Sequence, residues 1–375
     1  IFLYAKEIYY WNDKLPTYAS FNPRQYTSLS TNLLNYEKEL FEISKYSNPG
    51  EYKSSYTAPK FSYIFDKADK NPKAYSNRTS SVDLEGNGND VGFRPTVFLY
   101  SNDPGYLFFI GAIYPGSPAQ TAGLTRGDLV KKINGVSFGA NYNSEYNALE
   151  TALDGATMAI EVVKANGSTV VYNLTKSVFS SSPIYKSRVI VADSKKIGYL
   201  SYARFSNKEN SEAALTNVIN DFASSGVTDL IIDFRYNGGG YVETAEHLIN
   251  LLAPSGTTGT MFTEYFNATM QAGNAKILTN QPLLDAAGKI RYSNGRMLTY
   301  ADVNYAPSAN VTNFEKKGNL SNIGKIVFLV SKSTASASEL VINSLKPFVD
   351  VSLVGATTYG KPIGFFPITI ENKYD

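Results

Sequence analysis

The chain has 375 residues, 43% hydrophobic and 18% charged, with a net charge of +2. That describes a globular chain too long for one core, expected to fold as two or three units, and it lacks the clustered basic surface of a nucleic-acid binder. With no cysteine and a single histidine, His247, the composition excludes disulfides, thiolate sites and multi-histidine metal sites, and leaves only carboxylate metal sites open.

In chain order, the first fifty residues carry apolar positions at helical spacing (IFLYAKEIYYWNDKLP, YTSLSTNLLNYEKELF) punctuated by Pro16 and Pro23, which predicts two or three helices. Residues 66–90 are polar, rich in Gly and Asn and aperiodic, so a loop or mobile linker is expected there. From Val91 short strands alternate with turn signals: GFRPTVFLY, YLFFIGAIY, DLVKKINGVSF, and a hairpin MAIEVVKANGSTVVYNLT about Asn166 and Gly167. One amphipathic helix is predicted over residues 144–153.

After SSSP at 180–183 the pattern becomes strand and helix in alternation: KKIGYLSYARF, EAALTNVINDFASSG, DLIIDFRY, YVETAEHLINLLA, KIVFLVS, ASELVINSLKPF and VSLVG. This order predicts a mostly parallel sheet with helices on its faces, whose ligands lie at the carboxyl ends of the strands. A long polar insert, residues 255–322, interrupts it. Segments of that size are usually functional coverings or mobile. The longest apolar run, YLFFIGAIY around Phe109, is too short for the roughly 20 residues a membrane-spanning helix needs. The chain starts at Ile1 with no leader pattern, so any targeting segment is expected to be already removed or never present.

Three Gly- or Ser-rich turns each follow a predicted buried strand: YNGGG at 236–240, STASASE at 333–339 and TTYGKP at 357–362. A serine just ahead of a helix places its hydroxyl near unpaired N–H groups, which suits a nucleophile; the bland alternative is that Ser333, Ser336 and Ser338 cap the helix, with Glu339 completing a capping box. His247 falls inside a predicted helix, on its surface or against the sheet, and is poorly placed as a base. A partly desolvated lysine can accept the proton instead, and Lys361 follows Gly360 in a tight turn. The glycines of YNGGG let backbone N–H groups approach a ligand as an oxyanion hole requires, or merely feed the next helix. Arg235 and Asp233 are expected to pair structurally. GATTYGKP also fits all but the last position of a phosphate loop. It lacks the final hydroxyl, and the following PIGFFPITI reads as a strand where a nucleotide hydrolase needs a helix.

These residues resemble the C-terminal processing peptidases, the S41 family of serine peptidases related to the tail-specific and tricorn-type proteases. DFRYNGGG at 233–240, STASASE and TYGKP are similar to three motifs of that family, in order, and the 25-residue separation of Ser336 from Lys361 matches. SPAQTAGLTRGDLVKKINGVSF at 117–138 resembles an embedded PDZ domain. The resemblance implies an N-terminal helical region and linker (1–85), a PDZ-like β module (86–178) and a ClpP/crotonase-like α/β catalytic core (179–375). It implies a serine endopeptidase with Ser336 as nucleophile and Lys361 as base, the N–H groups of Ala337 and Gly239 as oxyanion donors, and no metal or cofactor. Val91, Gly92 and Phe93 form the expected loop for a peptide's terminal carboxylate. Partners are expected to be protein or peptide substrates, with no nucleic acid. The location expected is extracytoplasmic, periplasmic or outer-membrane associated in a bacterium. Two positions depart from the family: Pro362 follows the lysine in place of glycine, and Phe365 stands where a glutamine usually orients it. The rival reading is a non-catalytic peptide-binding scaffold on a degenerate core.

Overall fold

A computed structural model describes residues 1–47, 50–68, 82–285 and 288–375. Contacts gather the chain into two compact units that do not follow sequence order. One joins Ile1–Ser76, Thr258–Phe314 and Ile363–Asp375, and the other joins Asn77–Thr257 and Glu315–Pro362.

In the first unit, helices α1 (Phe2–Ile8) and α2 (Asn32–Ser44) and the single turn Tyr18–Phe21 answer the helical spacing of the N-terminal sequence. Thr31 caps α2 by accepting from the Leu34 N–H. Phe2 stacks on Phe21 at 4.4 Å in a small core with Leu15 and Ile43. The long insert packs on these helices. The Asn267 amide donates to the carbonyls of Glu7 and Tyr9 (3.0 and 2.9 Å), Asn12 donates to Thr269 (3.0 Å), and Gln281 donates to the Tyr4 hydroxyl (2.7 Å). PIGFFPITI, expected as a strand, forms none. Pro362 and Pro367 lack the N–H a ladder needs, and only Ile370 makes an isolated bridge.

The second unit contains two sheets that carry the site. The linker expected over residues 66–90 falls partly outside the described residues (69–81). Its end, Asn87–Asp90, is instead a strand paired antiparallel with Ser177–Ser180, a partner some ninety residues distant that local composition cannot reveal. The β module follows as β1 (Phe93–Leu99), β2 (Tyr106–Ile113), β3 (Leu129–Ile133), β4 (Thr157–Val163) and β5 (Thr169–Thr175), hydrogen-bonded antiparallel in that order. Helix α3 (Tyr142–Asp154) covers one face, with Asn141 as its cap. Strand β2 alternates strictly between buried and half-buried positions, and its Phe108 and Ile110 meet Phe93, Ile133, Leu149 and Ile160 in one core.

The remaining sheet runs β10 (Asp350–Gly355), β9 (Lys325–Val330), β8 (Asp229–Asp233), β7 (Lys195–Tyr202), β6 (Ile184–Ala192) across its width. β7 to β10 are parallel, as the alternation of strands and helices predicts, and helices α4 (Lys208–Ser224), α5 (Val242–Leu252) and α6 (Ala337–Leu345) pack with them. Strand β6 is an antiparallel edge that hydrophobic periodicity did not announce, because most of its residues are exposed. Helix α5 is amphipathic: Ala245, Leu248, Ile249, Leu251 and Leu252 are buried, polar Thr244, His247 and Asn250 are buried with them, and Glu243 stays exposed. His247 on α5 is 8% exposed, with its Nε2 2.8 Å from Thr216 Oγ1 of α4. It therefore joins two helices. No helix among the described residues is long and apolar enough to cross a membrane.

Candidate active site

Strands β8, β9 and β10 are parallel, so their carboxyl ends lie at one edge of the sheet. The three glycine- and serine-rich turns follow those ends. Of the three candidate serines, Ser336 occupies the position ahead of α6, with φ 54° and ψ −119°. A left-handed conformation in a non-glycine residue costs about 1–3 kcal/mol and persists only where neighbours enforce it. The neighbours are specific. Thr334 Oγ1 donates to the Phe234 carbonyl (2.8 Å), and the Asn237 carbonyl accepts from the Ala335 N–H (3.4 Å) and from Ser338 Oγ (3.2 Å). Ser338 is thereby committed to structure and fully buried, while Ser336 remains half-buried at the helix start.

Glu339 ties this turn to the lysine turn. Its Oε2 accepts from the backbone N–H of both Ser336 and Lys361, each at 2.9 Å, and its Oε1 accepts from the Gly360 N–H (2.7 Å) and the Thr358 hydroxyl (2.6 Å). The Tyr359 N–H adds a bond to the Thr334 carbonyl at 2.8 Å. One carboxylate thus joins the backbones that carry Ser336 and Lys361. Sequence reasoning saw Glu339 only as a capping-box partner. That reading is correct for the bond to Ser336 and omits the three bonds to residues 358–361. Phe365 turns its ring against Tyr63 at 4.8 Å. Beside the lysine turn, Val330, Leu353, Gly355, Ala356, Thr357 and Thr358 line an open hollow of about 360 Å³.

The YNGGG turn is organised by Asn237, which is fully buried. Its amide donates to the Tyr202 carbonyl (3.0 Å), and its Oδ1 accepts from the Gly239 N–H (2.9 Å). The Gly239 N–H, expected as an oxyanion donor, is therefore already engaged. The Gly238 and Ala337 N–H groups donate to none of the described residues. Gly239 is nonetheless required. Its φ is +105°, and a Cβ there would lie 2.8 Å from the Ser336 Cβ and 3.2 Å from the Ala337 nitrogen. Arg235 grips Asp233 in a two-point ion pair (2.9 and 2.6 Å), as expected of a structural pair. Burial works to raise the Asp233 carboxyl. The Arg235 guanidinium and N–H, with the Tyr199 hydroxyl, outweigh it and hold the group below its usual range.

In the β module, Val91, Gly92 and Phe93 lead into the edge strand β1. The Val91 N–H is capped by Asp90 Oδ1 (2.6 Å), so it is not available as the carboxylate donor expected. The Gly92 carbonyl accepts from the Tyr114 N–H (3.0 Å), which places Phe93 and Ile113 in the alternate, non-hydrogen-bonded pair and turns the Phe93 N–H to the open edge. A side chain at Gly92, where φ is +92°, would collide with the Ser117 Cβ at 2.0 Å.

Residues 196–373 match the sequence pattern of peptidase family S41, and residues 109–157 match that of the PDZ domain. By these two matches the chain is similar to S41 peptidases that carry a PDZ domain. Among curated relatives, this chain is 27% identical over 247 residues to the carboxy-terminal processing protease CtpA of Bacillus subtilis (strain 168), covering 66% of this chain and 42% of that one. It is 23% identical over 284 residues to a carboxyl-terminal-processing protease of a Picosynechococcus species, covering 76% and 56% respectively. The chain thus spans about half the length of the curated relatives it matches. A solved structure from Bacteroides fragilis NCTC 9343, assigned to the S41 proteases, shares the fold, with a TM-score of 0.60 and 22% identity over 100% of this chain and 82% of that chain. The mixed α/β S41 core with a PDZ module is the architecture the sequence motifs implied.

Proposed function

We propose that the chain is a serine endopeptidase in which Ser336 and Lys361 act as a dyad on unstructured protein segments near their C termini. The observation that carries this reading is the Glu339 carboxylate, whose single oxygen accepts from the backbone of both residues. The processing of carboxyl termini named for the relatives supports the substrate class.

In this reading Lys361, acting as a neutral amine, takes the Ser336 proton while Oγ bonds to the scissile carbonyl carbon. The carbonyl oxygen becomes an oxyanion, held by the Ala337 N–H at the start of α6. The second donor is the Gly238 N–H, since Gly239 already donates to Asn237. Collapse of the tetrahedral intermediate breaks the C–N bond, and the Lys361 ammonium returns the proton to the leaving amine. Water then cleaves the acyl-enzyme by the same steps in reverse order. The PDZ module docks the peptide tail, with the Gly92 and Phe93 N–H groups taking its carboxylate.

The test is cleavage of an unfolded protein bearing an apolar C-terminal tail. Wild type is expected to cut it, and Ser336→Ala is expected to lose at least about 10³-fold of that activity. Equal cleavage by the variant would sink the proposal, and tail binding without cleavage by wild type would favour the non-catalytic scaffold.

A further inference from the structure

Three arginines gather where the PDZ module meets the YNGGG turn, and none of them forms an ion pair with a carboxylate among the described residues. The Tyr236 ring is flanked by the guanidinium groups of Arg94 and Arg126, at 5.2 and 6.0 Å from its centroid. The Tyr236 hydroxyl and Arg126 Nε both donate to the Gly111 carbonyl, each at 3.0 Å. Behind them lies Arg204, 5% exposed. One of its nitrogens donates to the Ser181 carbonyl, while Nε and Nη1 are buried without a partner among the described residues. The Tyr185 ring connects the groups, 6.1 Å from Tyr236 and 6.0 Å from Tyr114, and both Arg94 and Arg204 act electrostatically on its hydroxyl.

No Asp or Glu among the described residues forms an ion pair with any of the three arginines. Asp83 acts on Arg204 more weakly than Tyr185, Tyr202 and Tyr114 do, and its carboxylate is engaged by Asn87 through both a backbone and a side-chain bond. Burying a guanidinium with two unsatisfied nitrogens is costly, and a fold tolerates it where an anion arrives to share the field. Position defines the anion. Arg94 stands two residues beyond Gly92 on the open-edged strand β1, and Tyr236 immediately precedes Asn237 of the catalytic turn. A peptide lying along β1 toward that turn passes this seam.

We propose that Arg94 and Arg126, backed by Arg204, form a carboxylate-binding subsite that selects peptide substrates carrying an acidic group at the seam. Planar guanidinium groups suit a carboxylate's two oxygens, and their partial exposure leaves them able to turn from the Tyr236 ring to a ligand. The inference depends on the peptidase reading only in taking a peptide as the ligand.

The test uses the full chain carrying Ser336→Ala, so that binding is read without turnover. The probes are fluorescein-labelled decapeptides with a single Glu or Gln placed at each position in turn, each made as free acid and as amide. The expected result is that at one or two positions Glu binds about tenfold tighter than Gln, and that the ratio collapses toward one in Arg94→Gln/Arg126→Gln. If the preference instead follows the free acid over the amide and collapses in the same variant, the carboxylate is the chain terminus and the subsite stands. Arg94→Lys/Arg126→Lys, which keeps the charge, is expected to retain part of the preference. The proposal is overturned if Glu, Gln, acid and amide bind alike, or if a preference survives the double Gln variant. Wild-type cleavage of the same peptides is measured separately. Its absence alongside an arginine-dependent preference would count against the peptidase reading while leaving the subsite in place.

Discussion

Glu339 concentrates the logic of the site in one side chain. Its four acceptor bonds reach Ser336 on one turn and Thr358, Gly360 and Lys361 on another. Replacing it with Gln substitutes a donor where donors already converge. We expect Glu339→Gln to lower kcat by about 10²-fold through misplacement of the proposed dyad, with a circular dichroism spectrum like wild type. Unchanged kcat would show that the turns hold without it. Gly239→Ala forces a side chain against Ser336 at a φ of +105°. Denaturant unfolding should show a loss of about 1–3 kcal/mol, together with loss of cleavage. At His247 burial lowers the imidazole pKa, opposed by Glu212 at 3.9 Å. The native state therefore binds fewer protons than the unfolded chain, whose histidine titrates near ~6.5. Stability contributed by neutral His247 is complete above that pH and declines as pH falls through it toward the depressed native value. Thermal melts from pH 7.5 to 5 should slope less steeply for His247→Gln, and an identical slope would count against the assignment.

At the scale of elements, the edge strand β1 contains its own limit on peptide binding. The Tyr100 N–H bonds to the Gly105 carbonyl, and a bulge follows Arg94, so Pro95 faces the open edge alongside Phe93. A peptide adding to this edge finds the Phe93 N–H and then, at Pro95, no donor. Pro95→Val should tighten binding of a C-terminal peptide by about fivefold, the worth of one hydrogen bond, as read by fluorescence anisotropy; weaker binding would contradict this docking geometry. Elements were legible where pattern is local. KIVFLV and DLIID read as buried parallel strands, and the turns that close them read as the places for chemistry. What escaped depended on distant partners. Strand β6 shows mostly exposed residues, Asn87–Asp90 finds its ladder at 177–180, and Glu339 could be seen as a cap but not as the clasp on residues 358–361.

Across the whole molecule, the order of segments in the chain and their grouping in space differ. Sequence order suggested a helical start, a PDZ module and a core interrupted by an insert. Contacts instead unite the start, the insert from Thr258 to Phe314 and the last thirteen residues into one unit. The insert was illegible because its ties to Tyr4, Glu7, Tyr9 and Asn12 are single hydrogen bonds to residues some 250 positions away, with no periodicity to reveal them. The other unit contains Ser336, Lys361, Glu339 and the PDZ module together.

The central claim is that Lys361 makes Ser336 a nucleophile. Its most direct test is reaction of the full chain with a peptidyl phosphonate, followed by mass spectrometry of the digested adduct. The account predicts one adduct, on the peptide containing Ser336, formed by wild type and lost in Lys361→Met. Labelling at another serine, or equal labelling of Ser336 without Lys361, would contradict it.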